Sequence, residues 1–179
     1  MMENNYWIFG YGSIIWDNND IKPVKSIDSK LVGAHRSFNK KSTLNRGTKK
    51  FPGLALGLEY GGECHGKAFL INQESFEVLK KREGGYKEIK TPNRDIEILD
   101  SQGNIIEDCI VFFPNSTGKN YLPPNTSLKE KANIIIVGKE GTKSNAKDYL
   151  KQIKNFLNEY GIEDNEVEGL YKLVFKNIL

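Results

Sequence analysis

Most of the strand-like runs in this 179-residue chain precede its strongest helix signal, and that order restricts the fold more than any single motif does. Tyr6 to Phe9 is a short aromatic and β-branched run that stops at Gly10. This is the pattern of a buried strand entering a tight turn, with Tyr11, Gly12 and Ser13 on the loop. Further runs fall at Lys30 to Val32, Leu54 to Glu59, Gly66 to Ile71, Ile96 to Leu99 and Ile105 to Phe113, separated by Gly, Pro, Asn and Asp. The spacing predicts helices over Gln73 to Glu83, ended by Gly84 and Gly85, and over Ala146 to Tyr160, ended by Gly161. In the longer one, Ala146, Tyr149, Leu150, Ile153, Phe156, Leu157 and Tyr160 recur at three and four residues and form one apolar stripe, with Ser144 or Asn145 as N-cap. A third amphipathic segment, Glu166 to Ile178, closes the domain. The strict strand-helix alternation of a doubly wound sheet is missing, so the expected class is α+β. With no Ser/Gly/Pro-rich linker between two hydrophobic halves, one domain over residues 1–179 is expected.

Lys and Arg number 26 against 23 Asp and Glu, interspersed along the chain, so no basic block is available to follow a phosphate backbone. Nucleic acid is not an expected partner. Met1 to Asn5 lacks the basic and apolar regions of a signal peptide, and no apolar run approaches the ~20 residues that span a bilayer, so no membrane is expected either and a cytoplasmic location is. Cys64 and Cys109 lack the close spacing of a redox or zinc motif and are expected as reduced structural thiols.

Two nucleotide motifs begin and fail. Gly10-Tyr11-Gly12 follows a strand, but Ile15 stands where a dinucleotide loop requires its third glycine. Gly138 to Ser144 ends in Lys143-Ser144, yet Thr142 occupies the place of the glycine before the lysine. No serine sits in a nucleophile elbow, and neither His35 nor His65 has the spaced companions of a metal site, so no metal is expected.

What remains is a series of segments in a fixed order: Trp7 to Trp16, Leu31 to Phe38, Arg46-Gly47-Thr48, Phe51 to Leu58, Gly61-Gly62, Gly66 to Phe69, Lys81-Arg82-Glu83-Gly84-Gly85-Tyr86, Tyr121-Leu122, and Gly141 to Leu150. Together they resemble the ChaC-type γ-glutamylcyclotransferases over nearly the whole chain. The resemblance implies a small closed or nearly closed mixed β-barrel with flanking helices, active as a monomer and without a cofactor. It also implies a small-molecule substrate: glutathione, cleaved to 5-oxoproline and Cys-Gly. Another γ-glutamyl amide or amine, or a non-catalytic binding role on the same fold, are the alternatives.

The reaction needs neither an enzyme nucleophile nor a metal, because the substrate's own α-amine attacks its γ-carbonyl. The enzyme has to fold the substrate for attack, take a proton from the ammonium and deliver one to the leaving nitrogen, which one carboxyl can do in turn. By resemblance that carboxyl is Glu83, with Glu88 the nearest fallback and Glu59 and Glu74 behind it. In the family a spacer of varying length separates the Arg-Glu pair from the Gly-Gly-Tyr turn, whereas here the two are contiguous.

Gly10, Tyr11, Gly12, Ser13 and Ile14 are the expected anchor for the glutamyl end. Glycines let backbone N–H groups approach a carboxylate, and Ser13 adds a hydroxyl donor. Tyr11 fits the core or the pocket equally well. Arg46 suits either a substrate carboxylate or a structural ion pair. Tyr121 is expected on the pocket wall, and His35 is read as a scaffold residue.

Overall fold

The structure, a computed structural model, describes residues 4–176. Its strands are β1 (Asn5–Gly10), β2 (Lys25–Ser42), β3 (Gly53–Asn72), β4 (Tyr86–Thr91), β5 (Glu97–Asp100) and β6 (Cys109–Pro114). Its helices are α1 (Gln73–Arg82), α2 (Leu128–Val137), α3 (Ala146–Glu159) and α4 (Asn165–Tyr171). The α+β class is as expected. The strands form one mixed six-stranded sheet, curled as a half-barrel, in the order β4-β6-β1-β3-β2-β5. The chain divides into two compact units, residues 1–36 with 58–115 and residues 37–57 with 116–179.

In the first unit β1 pairs antiparallel with β3 and parallel with β6, so both its neighbours come from distant sequence. Ile8, Phe69, Ile71 and Phe112 from these strands pack with Phe76 and Leu79 of α1 and with Ile14 and Ile21 from the segment after β1. Strand β1 therefore lies against a helix and beneath its own outgoing loop. At its end the backbones approach closely: a Cβ on Gly66 would lie 2.2 Å from the Gly10 carbonyl oxygen, and one on Gly10 would lie 2.3 Å from Ile14 Cγ2. Only glycine permits that approach at both positions.

The second unit is held by α3, whose apolar stripe buries Ala146, Tyr149, Leu150, Ile153, Phe156 and Leu157 as the periodicity predicts, with Asn145 accepting the Asp148 N–H as N-cap. Here a buried cation joins three elements. Lys131 of α2, 3% exposed, donates to Ser37 Oγ and to Glu166 Oε1, both at 2.9 Å, and Glu166 also accepts the Phe38 N–H at 2.6 Å. The Ser37 hydroxyl and the Phe38 N–H of β2 are thereby satisfied.

Several boundaries differ from the expected ones for physical reasons. Lys30 to Val32 is only the middle of β2, because the buried polar side chains Arg36, Ser37 and Asn39 break the apolar alternation that marks a strand. Leu54 to Glu59 and Gly66 to Ile71 are the two ends of β3, which runs through Gly61 and Gly62 at φ of 96° and 73°. The glycines that suggest a turn serve as left-handed positions within a strand. Ile105 and Ile106 fold back onto β5, and β6 starts only at Cys109, after Asp108 at φ 56°. The charged strand β4 lacks an apolar run, as suits a sheet edge. Helix α2 carried a readable signal, the capping box of Ser127 and Glu130. The segment from Glu166 forms α4 and a π-helical turn over Lys172–Lys176, and its last positions, to Ile178, lie outside the described residues.

Glu166→Ala strands the Lys131 ammonium without its carboxylate and should cost on the order of 3 kcal/mol in denaturant unfolding. The double variant Lys131→Met/Glu166→Ala should recover part of that loss, and a single variant as stable as wild type would show that the pair does not hold α4.

Candidate active site

Helix α1 begins at its N-cap Asn72, whose side chain accepts the Ser75 N–H, and ends at Glu83, whose backbone N–H donates to Leu79 O at 2.8 Å. The Glu83 carbonyl accepts the Tyr86 N–H at 3.0 Å across Gly84 and Gly85, the latter at φ 95°. Without a spacer, the two glycines turn the chain directly from helix into β4. Glu83 stands at that corner with its side chain 23% exposed, half-buried but open to solvent.

The Gly10 to Ile14 loop belongs to the same unit and is fixed from below and from the side. Ile14 enters the core cluster. Tyr11 is buried, and its hydroxyl donates to Phe112 O of β6 at 2.6 Å, which places its ring in the core. Its carbonyl accepts from Arg36 Nε at 2.9 Å, and Arg36 Nη2 donates to His65 O. Gly12 opens a single helical turn over Ser13–Ile15, in which the Trp16 and Asp17 N–H groups donate to Ser13 O.

One guanidinium joins loop and carboxylate. Arg82, its side chain 9% exposed, donates to Ser13 Oγ at 3.2 Å and to Asp17 O at 2.5 Å, contacts Asp20 Oδ1 at 3.1 Å, and lies 3.7 Å from Glu83 Oε1. Ser13 and Glu83, separated by most of the first unit's sequence, are thus brought around a single cation. Of the fallback carboxylates, Glu74 and Glu88 are exposed and Glu59 is half-buried.

The sequence model of the ChaC-like protein family matches residues 6–177, which takes in both glycine segments and the Arg82-Glu83 corner. The chain belongs to the ChaC-like protein family. A glutathione-specific gamma-glutamylcyclotransferase of Escherichia coli is 41% identical over 85 residues, a match covering 45% of this chain and 36% of that protein. The gamma-glutamylcyclotransferase 2-3 of Arabidopsis thaliana is 32% identical over 177 residues, covering 92% of this chain and 85% of that one. In fold the chain is similar to the crystal structure of a glutathione-specific gamma-glutamyl cyclotransferase from yeast, with a TM-score of 0.82 at 19% identity and 96% of both chains covered.

In this ChaC-like chain Arg46 and Tyr121 belong to the second unit. Arg46 is buried, donates from Nη1 to Ser144 Oγ at 2.5 Å, and stacks on the Tyr149 ring at 4.5 Å from its centroid. Tyr121 is half-buried and forms a bridge with Lys40 of β2. The segment resembling a phosphate loop is instead packed on the chain beside Arg46: a Cβ on Gly141 would lie 2.4 Å from Leu44 O, and the Lys143 and Ser144 N–H groups both donate to Asn45 O. Its amides are already occupied. His35 Nδ1 lies 2.8 Å from Gly61 O, beside the β3 glycines. Cys64 and Cys109 are buried thiols, and burial pushes the Cys109 thiol up to about 12.

Sequence reasoning assigned no role to Arg36 or Arg82. A signal was present for Arg36, a charged residue in a strand between Ala34 and Phe38, both wholly buried. Arg36→Met removes the donors to Tyr11 and His65 and should cost about 2–3 kcal/mol of stability, since a charged donor to a buried carbonyl contributes more than a neutral one. Hydrogen exchange at the Gly12 to Asp17 amides should accelerate more than elsewhere, and unchanged exchange there would mean that Arg36 does not hold the loop.

Proposed function

We propose that this chain cleaves glutathione by intramolecular cyclotransfer, releasing 5-oxoproline and Cys-Gly, with Glu83 as general base and then general acid. The observation that carries the reading is a half-buried carboxylate, joined through Arg82 to the hydroxyl of the glycine loop, in a member of the ChaC-like family. Relatives in bacteria and plants named as gamma-glutamylcyclotransferases, one of them glutathione-specific, support the substrate class.

In the proposed mechanism the glutamyl α-carboxylate lies on the loop from Gly10 to Ile14, where backbone N–H groups and the Ser13 hydroxyl donate to it. Held in this way, the γ-glutamyl chain folds so that its α-nitrogen reaches the γ-carbonyl carbon at near-attack distance. Intramolecularity then supplies much of the rate. Glu83 takes a proton from the α-ammonium, and the freed amine attacks and closes the five-membered ring. The same carboxyl, now protonated, gives its proton to the cysteinyl nitrogen as the C–N bond breaks, and the second proton left on the ring nitrogen by the attack passes to the released Cys-Gly amine, which departs as its ammonium. Glu83 ends the cycle as it began, ionised. Arg46 and Tyr121 stay as proposed substrate contacts on family resemblance, Arg46 because its planar donor fork matches a carboxylate. The buried thiols Cys64 and Cys109 suit a reducing compartment, the cytoplasm, and the protein is read as a cofactor-independent monomer acting as one functional domain.

Glu83→Gln keeps the shape and removes the proton carrier, so kcat with glutathione should fall on the order of 10²-fold or more while the fold is retained. Near-normal turnover by that variant would remove Glu83 from the mechanism, and faster turnover of γ-glutamyl-alanine than of glutathione would move the substrate assignment to another γ-glutamyl compound.

A further inference from the structure

The Arg82 guanidinium faces two groups of opposite need. Ser13 Oγ accepts from Nη2 at 3.2 Å, and Glu83 Oε1 lies 3.7 Å from Nε. A hydroxyl has one proton and two lone pairs, so an oxygen that accepts from Arg82 keeps its proton for another acceptor. A cation this close to a carboxylate favours the ionised form. Arginine suits both tasks, because its donors are set at fixed angles in one plane and it stays charged at every working pH. The remaining donors anchor the cation itself: Nη1 to Asp17 O and Asp20 Oδ1, and Nη2 also to Asp17 Oδ2 at 3.4 Å.

We propose that Arg82 is a positioning residue for the proposed reaction. It turns the Ser13 hydroxyl proton toward the substrate's α-carboxylate and holds Glu83 as the carboxylate that the first proton transfer requires. The assignment rests on Glu83 as the acid/base. Other charged or titratable groups on the surrounding elements are Asp17 and Asp20 after the loop, Glu74, Glu77, Lys80 and Lys81 on α1, Tyr86, Lys87, Glu88 and Lys90 on β4, and Tyr6 on β1. Asp17 and Asp20 draw on the same guanidinium and are 41% and 42% exposed, so they weaken its field at Glu83 without cancelling it. Lys80 is engaged elsewhere: its ammonium binds Glu77 at 2.9 Å, which raises its pKa. Arg82 is in direct ion-pair contact with Glu83.

The test is a ¹³C-carboxyl NMR titration of Glu83, its signal assigned by its loss in Glu83→Gln, run beside kcat and KM for glutathione across pH. In Arg82→Gln the Glu83 midpoint should rise by about one pH unit, and the acid limb of kcat/KM should move up with it. In Arg82→Lys, where the charge is kept but the planar fork is lost, the midpoint should stay near the wild-type value while KM rises about fivefold, the loss of roughly one hydrogen bond to Ser13. An unchanged midpoint in a folded Arg82→Gln protein overturns the proposal. If that variant does not fold, an unchanged KM in Arg82→Lys does so. The titration requires no turnover, so an inactive wild type counts against the reaction, whereas an unmoved midpoint counts against Arg82.

Discussion

A guanidinium held at 3% exposure inside a strand must have its donors met, and the way Arg36 meets them shapes the first unit. Its partners are the carbonyls of Tyr11 and His65, one at the start of the glycine loop and the other in β3 next to the Gly66 contact. The Tyr11 hydroxyl then reaches Phe112 of β6, and Ile14 drops into the core two residues beyond Gly12. These three attachments leave the short stretch around Gly12 and Ser13 little freedom to move. In its proposed role, presenting amides to a carboxylate, such a loop gains most from being built in place, because a mobile loop would have to be ordered at each binding event.

The chemistry assigned to this site asks little of the protein in reactive groups and much in geometry. The nucleophile, the electrophile and the leaving group all belong to the substrate, which leaves the enzyme one carboxyl to move protons and a surface to fold the γ-glutamyl chain. In the proposed site a tethered glycine loop, a helix end and one cation between them answer that demand. It also explains why the sequence has no recognisable nucleophile or metal motif while retaining glycines at points of close backbone contact, such as Gly10 and Gly66.

Regular apolar patterns were legible in the sequence. The stripe of α3, the strand at Tyr6 to Phe9 and the α+β class follow from periodicity and from the order of elements. Features that depend on long-range satisfaction of polar groups were not. The length of β2 was hidden by Arg36, Ser37 and Asn39, whose burial becomes tolerable only with partners from other elements, among them Lys131 of α2. Strand β4 was hidden because an edge strand needs no apolar alternation on its open side. In the candidate site, the glycine loop and the Arg-Glu corner could be picked out as segments. That Arg82 joins them could not, since its contacts with Asp17 and Ser13 span 65 and 69 residues of sequence. Arg46 was readable as a planar cation, whereas its stacking on Tyr149 and its bond to Ser144 appear only in the folded chain.

Incubating the purified protein with glutathione in H₂¹⁸O, and following every product by mass spectrometry, separates ring closure by the substrate's own amine from attack by water. The account predicts 5-oxoproline and Cys-Gly in equal amounts, with no ¹⁸O in the newly formed 5-oxoproline. Free glutamate carrying one ¹⁸O would identify water as the nucleophile and contradict it.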